Sequence, residues 1–296
     1  MTVAITGATG LIGGALAERL TAAGHRVRRI VRAASAPRPG DVQWDLARGV
    51  LDQEGLEGVD AIVHLAGEPV AHRWTRARKR AIRDSRVQGT VVLARAVSSM
   101  RVKPRVVLSG SAIGYYGDRG DELLDESSAS GTDFLAGVAR EWEGAAVPME
   151  QVGVRVVLLR TGIVLTPHGG ALGKLLVPFR LGVGGPLGNG RQWMSWISLH
   201  DHLRAMEHAL VTEALHGPAN FTAPSPVRNA EFAATLGRVL KRPALVRVPA
   251  FALELLYGEM ADATLLAGQR AEPRALLAAG FHFEHPTLDV ALQAEL

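Results

Sequence analysis

Val3-Ala4-Ile5-Thr6-Gly7-Ala8-Thr9-Gly10-Leu11-Ile12-Gly13 heads the sequence, and its reading decides the fold. Three apolar residues run into a glycine-spaced turn, after which Ile12, Leu16, Leu20 and Ala23 recur at helical spacing. Strand, glycine turn and helix in that order form the first βα unit of a dinucleotide-binding sheet. Gly7 suits the tight turn, Gly10 lets backbone approach a pyrophosphate, and Gly13 lets helix and strand pack closely. Thr9, Leu11 and Ile12 complete the set of cofactor-contacting positions in this turn, where helix N-terminal amides face phosphate charge. The competing account is a strand–helix turn that uses glycine for geometry alone.

Working outward, the alternation continues. Val27 to Val31 reads as a second strand, Asp60 to Leu65 as another, Trp74 to Met100 as a long helix, and Arg105 to Ser109 and Val154 to Leu159 as further strands. This predicts an α/β fold, a doubly wound parallel sheet of the Rossmann type over residues 1–165, to which later segments can return. After Gly162 the texture changes to glycine-rich loop, and from Asn229 the chain is mostly helical, punctuated by Pro243, Pro249, Pro273 and Pro286. Residues 166–296 are therefore expected to form a smaller, mostly helical substrate lobe and C-terminal region.

Composition narrows the classes. With no cysteine there is no disulfide, thiolate metal site or thiol nucleophile. The aromatic share of 5% leaves Ala, Val, Leu and Ile to fill the core, as buried parallel strands require. A net charge of +4 is too small to argue for nucleic acid, and the basic run Arg73 to Arg86 lacks interleaved aromatics. Histidines are scattered without carboxylates at metal spacing, so no metal is expected. No apolar run reaches membrane-spanning length. The expected protein is cytoplasmic, takes a small-molecule substrate, and has no nucleic-acid or membrane partner; a homodimer is compatible with it.

The second strand bears on which dinucleotide binds. A carboxylate at its end would accept hydrogen bonds from a ribose 2′-OH, but this strand reads Arg28-Arg29-Ile30-Val31-Arg32. Arginine attracts a 2′-phosphate bidentately, so NADP(H) is expected, with Arg32 its contact. The alternative is a solvated surface arginine.

With this turn, His64-Leu65-Ala66-Gly67-Glu68 and Val87-Gln88-Gly89-Thr90 together, the chain resembles the extended short-chain dehydrogenase/reductases, in their sugar-nucleotide-epimerase-like group. Pro178 to Gly182 and Trp196 to Asp201 look like the epimerase-like branch, and Gly268 to Phe281 looks like its C-terminal helical domain of unassigned role. The resemblance implies NADP binding by Gly7 to Gly13, Arg32, Leu65, Ala66, Gly67, Glu68 and Arg86. It also matches Ser111, in Ser109-Gly110-Ser111-Ala112, to the family's catalytic serine. Where the family carries Tyr-x-x-x-Lys, this chain reads Phe134-Leu135-Ala136-Gly137-Val138, so the usual acid/base pair is missing.

Tyr115 and Tyr116 follow Ser111 closely and are candidates to supply the phenol; equally, both suit the pocket wall. Arg86 fits either an oxyanion or a cofactor phosphate, and Arg160 either the same pocket or a surface ion pair. Met194 stands where relatives have a diphosphate-gripping arginine, while Gln192, Trp193 and Trp196 suggest a flatter, apolar ligand, with a place in the core the stronger reading for Trp196. The expectation is an NADP(H)-dependent oxidoreductase-like protein acting on a small carbonyl or hydroxyl compound. A catalytically weak NADP(H)-binding sensor is the alternative, and a nucleotide-sugar epimerase or dehydratase ranks third.

Overall fold

Short apolar runs separated by helices pair as parallel strands, because a right-handed crossover returns the chain beside the strand it left. A computed structural model, which describes residues 1–33 and 38–296, shows the outcome. β1 (Thr2–Thr6) leads through α1 (Leu11–Ala22) to β2 (Arg26–Arg32), β3 (Val42–Asp45), the short β4 (Val50–Leu51) and α2 (Gln53–Leu56). β5 (Ala61–His64), α3 (Arg76–Ser99), β6 (Val106–Ala112), β7 (Leu123–Leu124), α4 (Phe134–Gln151) and β8 (Arg155–Thr161) follow. The chain then leaves the sheet through β9 (Ile163–Leu165), α5 (Gly170–Arg180), β10 (Trp193–Met194) and β11 (Trp196–Ser198). It returns with α6 (Leu199–Val211) and β12 (Gly217–Phe221). β13 (Val227–Arg228), α7 (Asn229–Leu240), α8 (Ala250–Tyr257), β14 (Arg270–Ala271), α9 (Arg274–Ala278) and α10 (Leu288–Glu295) complete it.

The main sheet runs β12-β8-β6-β5-β1-β2-β3-β4, parallel throughout except for β4. From β1 the chain moves first to β2 on one side and later to β5 on the other. The C-terminal ends of β1 and β5 therefore open a crevice at a topological switch point, where ligands of such sheets bind.

One face of the sheet, with Val3, Ile5, Val63, Leu108 and Leu159, packs on Leu16 and Leu20 of α1 and on Met206 of α6. The other, with Ala4, Ile62, Val107 and Val156, packs on Val92, Leu93 and Val97 of α3 and on Met149 of α4. Each fully buried leucine here contributes roughly 2 kcal/mol. The second lobe has its own core, of Leu165, Leu176, Phe179, Trp196, Phe232 and Leu292. The last fifty residues join the two: Leu276 and Phe281 enter the first core, Leu288 and Leu292 the second. No helix among the described residues is long and apolar enough to cross a membrane.

Candidate functional site

The turn after β1 is fixed by sterics. Gly7 has φ +69°, and a Cβ there would sit 3.1 Å from the Leu65 carbonyl carbon and oxygen and 3.2 Å from Ala66 N. A Cβ on Gly13 would lie 2.3 Å from Gly7 O, so only glycine lets α1 approach this closely. Gly10 donates its N–H to Gly7 O at 2.9 Å and caps α1 without a side chain. The first-turn amides of α1 thus have no capping side chain and no acidic residue beside them, which leaves them for an anion. Leu11, 37% exposed, reaches across to the second lobe, where a methyl on Gly169 would sit 3.4 Å from it. Thr9 is exposed, and Ile12 packs against the first core.

Among the arginines of β2, Arg28 donates to the carbonyls of Gly55 and Glu57, and Arg29 grips Asp41 at 2.9 and 2.5 Å. Arg32 is exposed at the strand end and makes no ion pair with a described residue. On the facing side of the crevice, Arg86 donates to Glu68 O at 2.9 Å and Ile82 O at 3.0 Å, under the Gly67 turn. Its guanidinium lies 5.2 Å from the Trp142 ring centre. Burial pulls its pKa down to about 10 against the opposing charge of Glu68, so it stays cationic at neutral pH. The Glu68 carboxylate accepts from Arg78 at 2.5 Å.

Below the crevice a polar row crosses five strands. Register pairs Thr6 with His64 and His64 with Ser109, then Ser111 with Arg160 and Arg160 with Asn220. Thr6 Oγ1 accepts from Leu65 N at 3.0 Å and Ala66 N at 3.1 Å, which leaves its proton for His64 Nδ1 at 2.8 Å. Thr90 donates to Arg86 O at 2.9 Å, so His64 Nε2 donates to Thr90 at 3.1 Å. Burial pushes His64 down to about 4. It is neutral, with its proton on Nε2.

The other half is charged. Ser111 Oγ donates to Glu143 Oε1 at 2.6 Å, and Arg160 grips both oxygens of Glu143 at 2.9 Å each. Arg160 also donates to Tyr116 OH at 3.1 Å, and Tyr116 donates to Asn220 Oδ1 at 2.7 Å. Burial opposes the charge of Arg160, but Glu143 more than restores it and its pKa is raised. Burial pushes the Tyr116 phenol up to about 12, despite Arg160. Tyr116 is fully buried, whereas Tyr115 is half-exposed, with the Arg160 guanidinium 3.5 Å from its ring centre. The two tyrosines therefore face different surroundings: one is locked into the row, and the other has a hydroxyl with no partner among the described residues.

At the start of α4, Phe134 meets Trp74 edge-on at 5.1 Å and Val138 is buried. Residues 134–139 carry neither a hydroxyl nor an amine, so no shift of register along α4 restores the missing pair. The ammonium of Lys79, on α3, lies 4.5 Å from the Phe134 ring centre and is bound to Glu259 at 2.6 Å. Trp196 is fully buried in the second core, in keeping with its core reading, with its N–H on Ser225 O. Gln192 bonds the carbonyls of Leu187 and Leu265. Trp193 is flanked by Arg228 and Arg270, at 4.2 and 4.6 Å from its ring centre. Met194 is buried against Asn229. Glu143 and Asn220 escape a reading by spacing. The one signal for Glu143 is a carboxylate beside Trp142 on the same helix face as Val138, Ala139 and Ala146.

Comparison with known proteins now has a geometry to stand on. Residues 3–220 match the NAD dependent epimerase/dehydratase family, and residues 248–295 match a domain of unknown function, DUF1731. The chain belongs to the NAD dependent epimerase/dehydratase family. Within it, the chain is 47% identical to epimerase family protein MT2273 of Mycobacterium tuberculosis, over 98% of this chain and 96% of that protein. It is 37% identical to human epimerase family protein SDR39U1, over 99% of each. The crystal structure of human SDR39U1 (isoform 2) with NADPH superposes with a TM-score of 0.91 at 36% identity, covering 100% of this chain and 99% of that one. UDP-glucuronic acid 4-epimerase from Bacillus cereus, in complex with UDP-glucuronic acid and NAD, shares the fold with a TM-score of 0.77 at 18% identity, over 100% of this chain and 98% of that one.

Proposed function

We propose that this protein is an NADP(H)-dependent oxidoreductase acting on a small carbonyl or hydroxyl compound. The observation that carries it is the cradle: Gly7 and Gly13 stand where a Cβ would strike backbone, uncapped amides open α1, and Arg32 waits at the end of β2. The human relative, crystallised with NADPH, supports the phosphorylated form of the dinucleotide. Gly10, Leu11, Ile12 and Gly13 would face the pyrophosphate, Leu65 to Glu68 the opposite wall, and Arg32 the 2′-phosphate. NADPH supplies a hydride when bound, and reduction of a carbonyl to an alcohol also needs a proton. Tyr115, half-exposed, carries the phenol available to give it, and Ser111 polarises the substrate oxygen once its hydroxyl turns from Glu143. Arg160 and Glu143 hold Ser111 and the Tyr115 ring in place and touch no reacting atom.

The sensor reading gains from two observations. The first turns of α4 have no acid/base pair, and the Ser111 proton is already given to Glu143. A screen of carbonyl compounds, following NADPH oxidation, separates the two. Turnover that is lost in Ser111→Ala and falls at least tenfold in Tyr115→Phe establishes the reductase; micromolar NADPH binding without turnover of any compound establishes the sensor.

A further inference from the structure

One surface of the second lobe plays no part in this chemistry. Val177 and Leu181 at the end of α5, Val183 behind it, Leu245 and Val246 in the strap before α8, and Phe251 on α8 are all exposed. Leu245 reaches 86% and Leu181 73%. Backbone contacts hold them as one face. Val246 N donates to Gly184 O at 3.2 Å, Arg242 Nε donates to Arg180 O at 3.1 Å, and a methyl on Gly182 would sit 3.6 Å from the Pro243 ring. α8 follows the strap directly and is itself largely exposed, with Leu253 its one buried residue. Contiguous apolar surface of this kind marks an interaction site.

Charge indicates what it meets. Lys174, Arg180, Lys241, Arg242 and Arg247 are exposed along the same segments, and none is ion-paired with a described residue. The segments 170–183 and 241–257 hold one carboxylate, Glu254. A second copy docked through this face would set these cations against themselves, because a two-fold interface apposes identical patches. Side chains as exposed as Leu245 and Leu181 protrude instead of lining a groove, which suits a deformable surface better than a rigid one.

We propose that this face docks peripherally on an anionic phospholipid bilayer. Leu181, Leu245 and Phe251 would enter the headgroup–acyl boundary, while the lysines and arginines bury their stems and present their charges to lipid phosphates. A peripheral dock of this type needs no membrane-spanning helix.

Co-sedimentation tests it, using the full chain with vesicles of phosphatidylcholine alone or with about one-third phosphatidylglycerol. The protein is expected to sediment with the anionic vesicles alone, and less so as salt rises. Leu245→Asp and the pair Arg242→Glu/Arg247→Glu should each weaken binding at least tenfold while leaving NADPH affinity unchanged. Absence of binding to anionic vesicles overturns the proposal. So does a wild-type dimer that Leu245→Asp dissociates in sedimentation velocity, because the face would then be a subunit contact. Binding to neutral and anionic vesicles alike would also overturn it, by removing the role of the cations.

Discussion

The polar row below the crevice is built on opposite principles in its two halves. Under the cradle, Thr6, His64 and Thr90 pass hydrogen bonds along without a net charge, from the amides of Leu65 and Ala66 to the Arg86 carbonyl. In the other half, Ser111, Tyr116 and Asn220 are organised around a full ion pair, Glu143 with Arg160. The neutral half fixes the backbone of the cradle, and in the proposed function that backbone holds an anionic dinucleotide, so side chains there can stay uncharged. The charged half fixes side chains, whose hydroxyls have to be aimed. Strong fields serve that purpose, and they make each partner dependent on the other.

The largest expected effect breaks the charged half. Glu143→Leu strands the Arg160 guanidinium, 4% exposed, without its carboxylate, and should cost about 3–5 kcal/mol in urea unfolding. The double variant Glu143→Leu/Arg160→Met removes both charges and should recover more than half of that loss. A double variant as unstable as the single one would mean that the pair is not coupled as the geometry states.

The neutral half breaks with acid. His64 titrates near 4 in the folded protein against an ordinary 6.5. Between those values the unfolded chain binds the extra proton, so stability is present above about pH 6.5 and is lost as pH falls toward 4. The loss from His64 comes to roughly 3 kcal/mol. His64→Gln should flatten this limb of the stability–pH curve, leaving the part due to His202, which burial pushes down to about 3. An unchanged slope would show that His64 is not the neutral link.

Above the neutral half, Gly13→Ala should lower NADPH affinity about a hundredfold, near 2.7 kcal/mol, because its Cβ lies 2.3 Å from Gly7 O. Gly14→Ala is the control, since its Cβ would meet Ala8 O at an ordinary 3.5 Å. Calorimetry that finds the two variants alike would remove the steric account of the cradle. The smallest effect is selectivity. Arg32→Ala should cut the preference for NADPH over NADH by about tenfold, or 1.4 kcal/mol, and equal affinities in the wild type would sink the assignment of Arg32.

The legible part of this molecule is the part made by local rules. The glycines of the first turn announce themselves because one backbone path demands them, and the strands of the sheet show as apolar runs between turns. α4 is harder to read: Gly137, Gly144 and Pro148 dilute its periodicity, and tertiary packing of Val138, Trp142 and Met149 overrides them. β3 and β4 are four and two residues long, too short for a pattern to register. Adjacency of Tyr115 and Tyr116 is plain in the sequence, but the 3-10 turn that sends one inward and leaves the other half-exposed is not. Arg160 is legible as a candidate for pocket or ion pair; its place in a buried pair depends on Glu143, which spacing alone does not connect to it.

The sheet is closed by β12, which pairs with β8 only after the chain has left to build much of the second lobe. On a ribosome adding 5–20 residues each second, the sixty residues between Thr161 and Phe221 take roughly 3 to 12 seconds. For that time β8 would present an unpaired edge, the kind of template on which nascent chains aggregate. Leu276 and Phe281, which finish the first core, emerge later still. The arrival of β12 ends that exposure of the edge, and residues 248–295, the last to be made, are the ones that finish the first core.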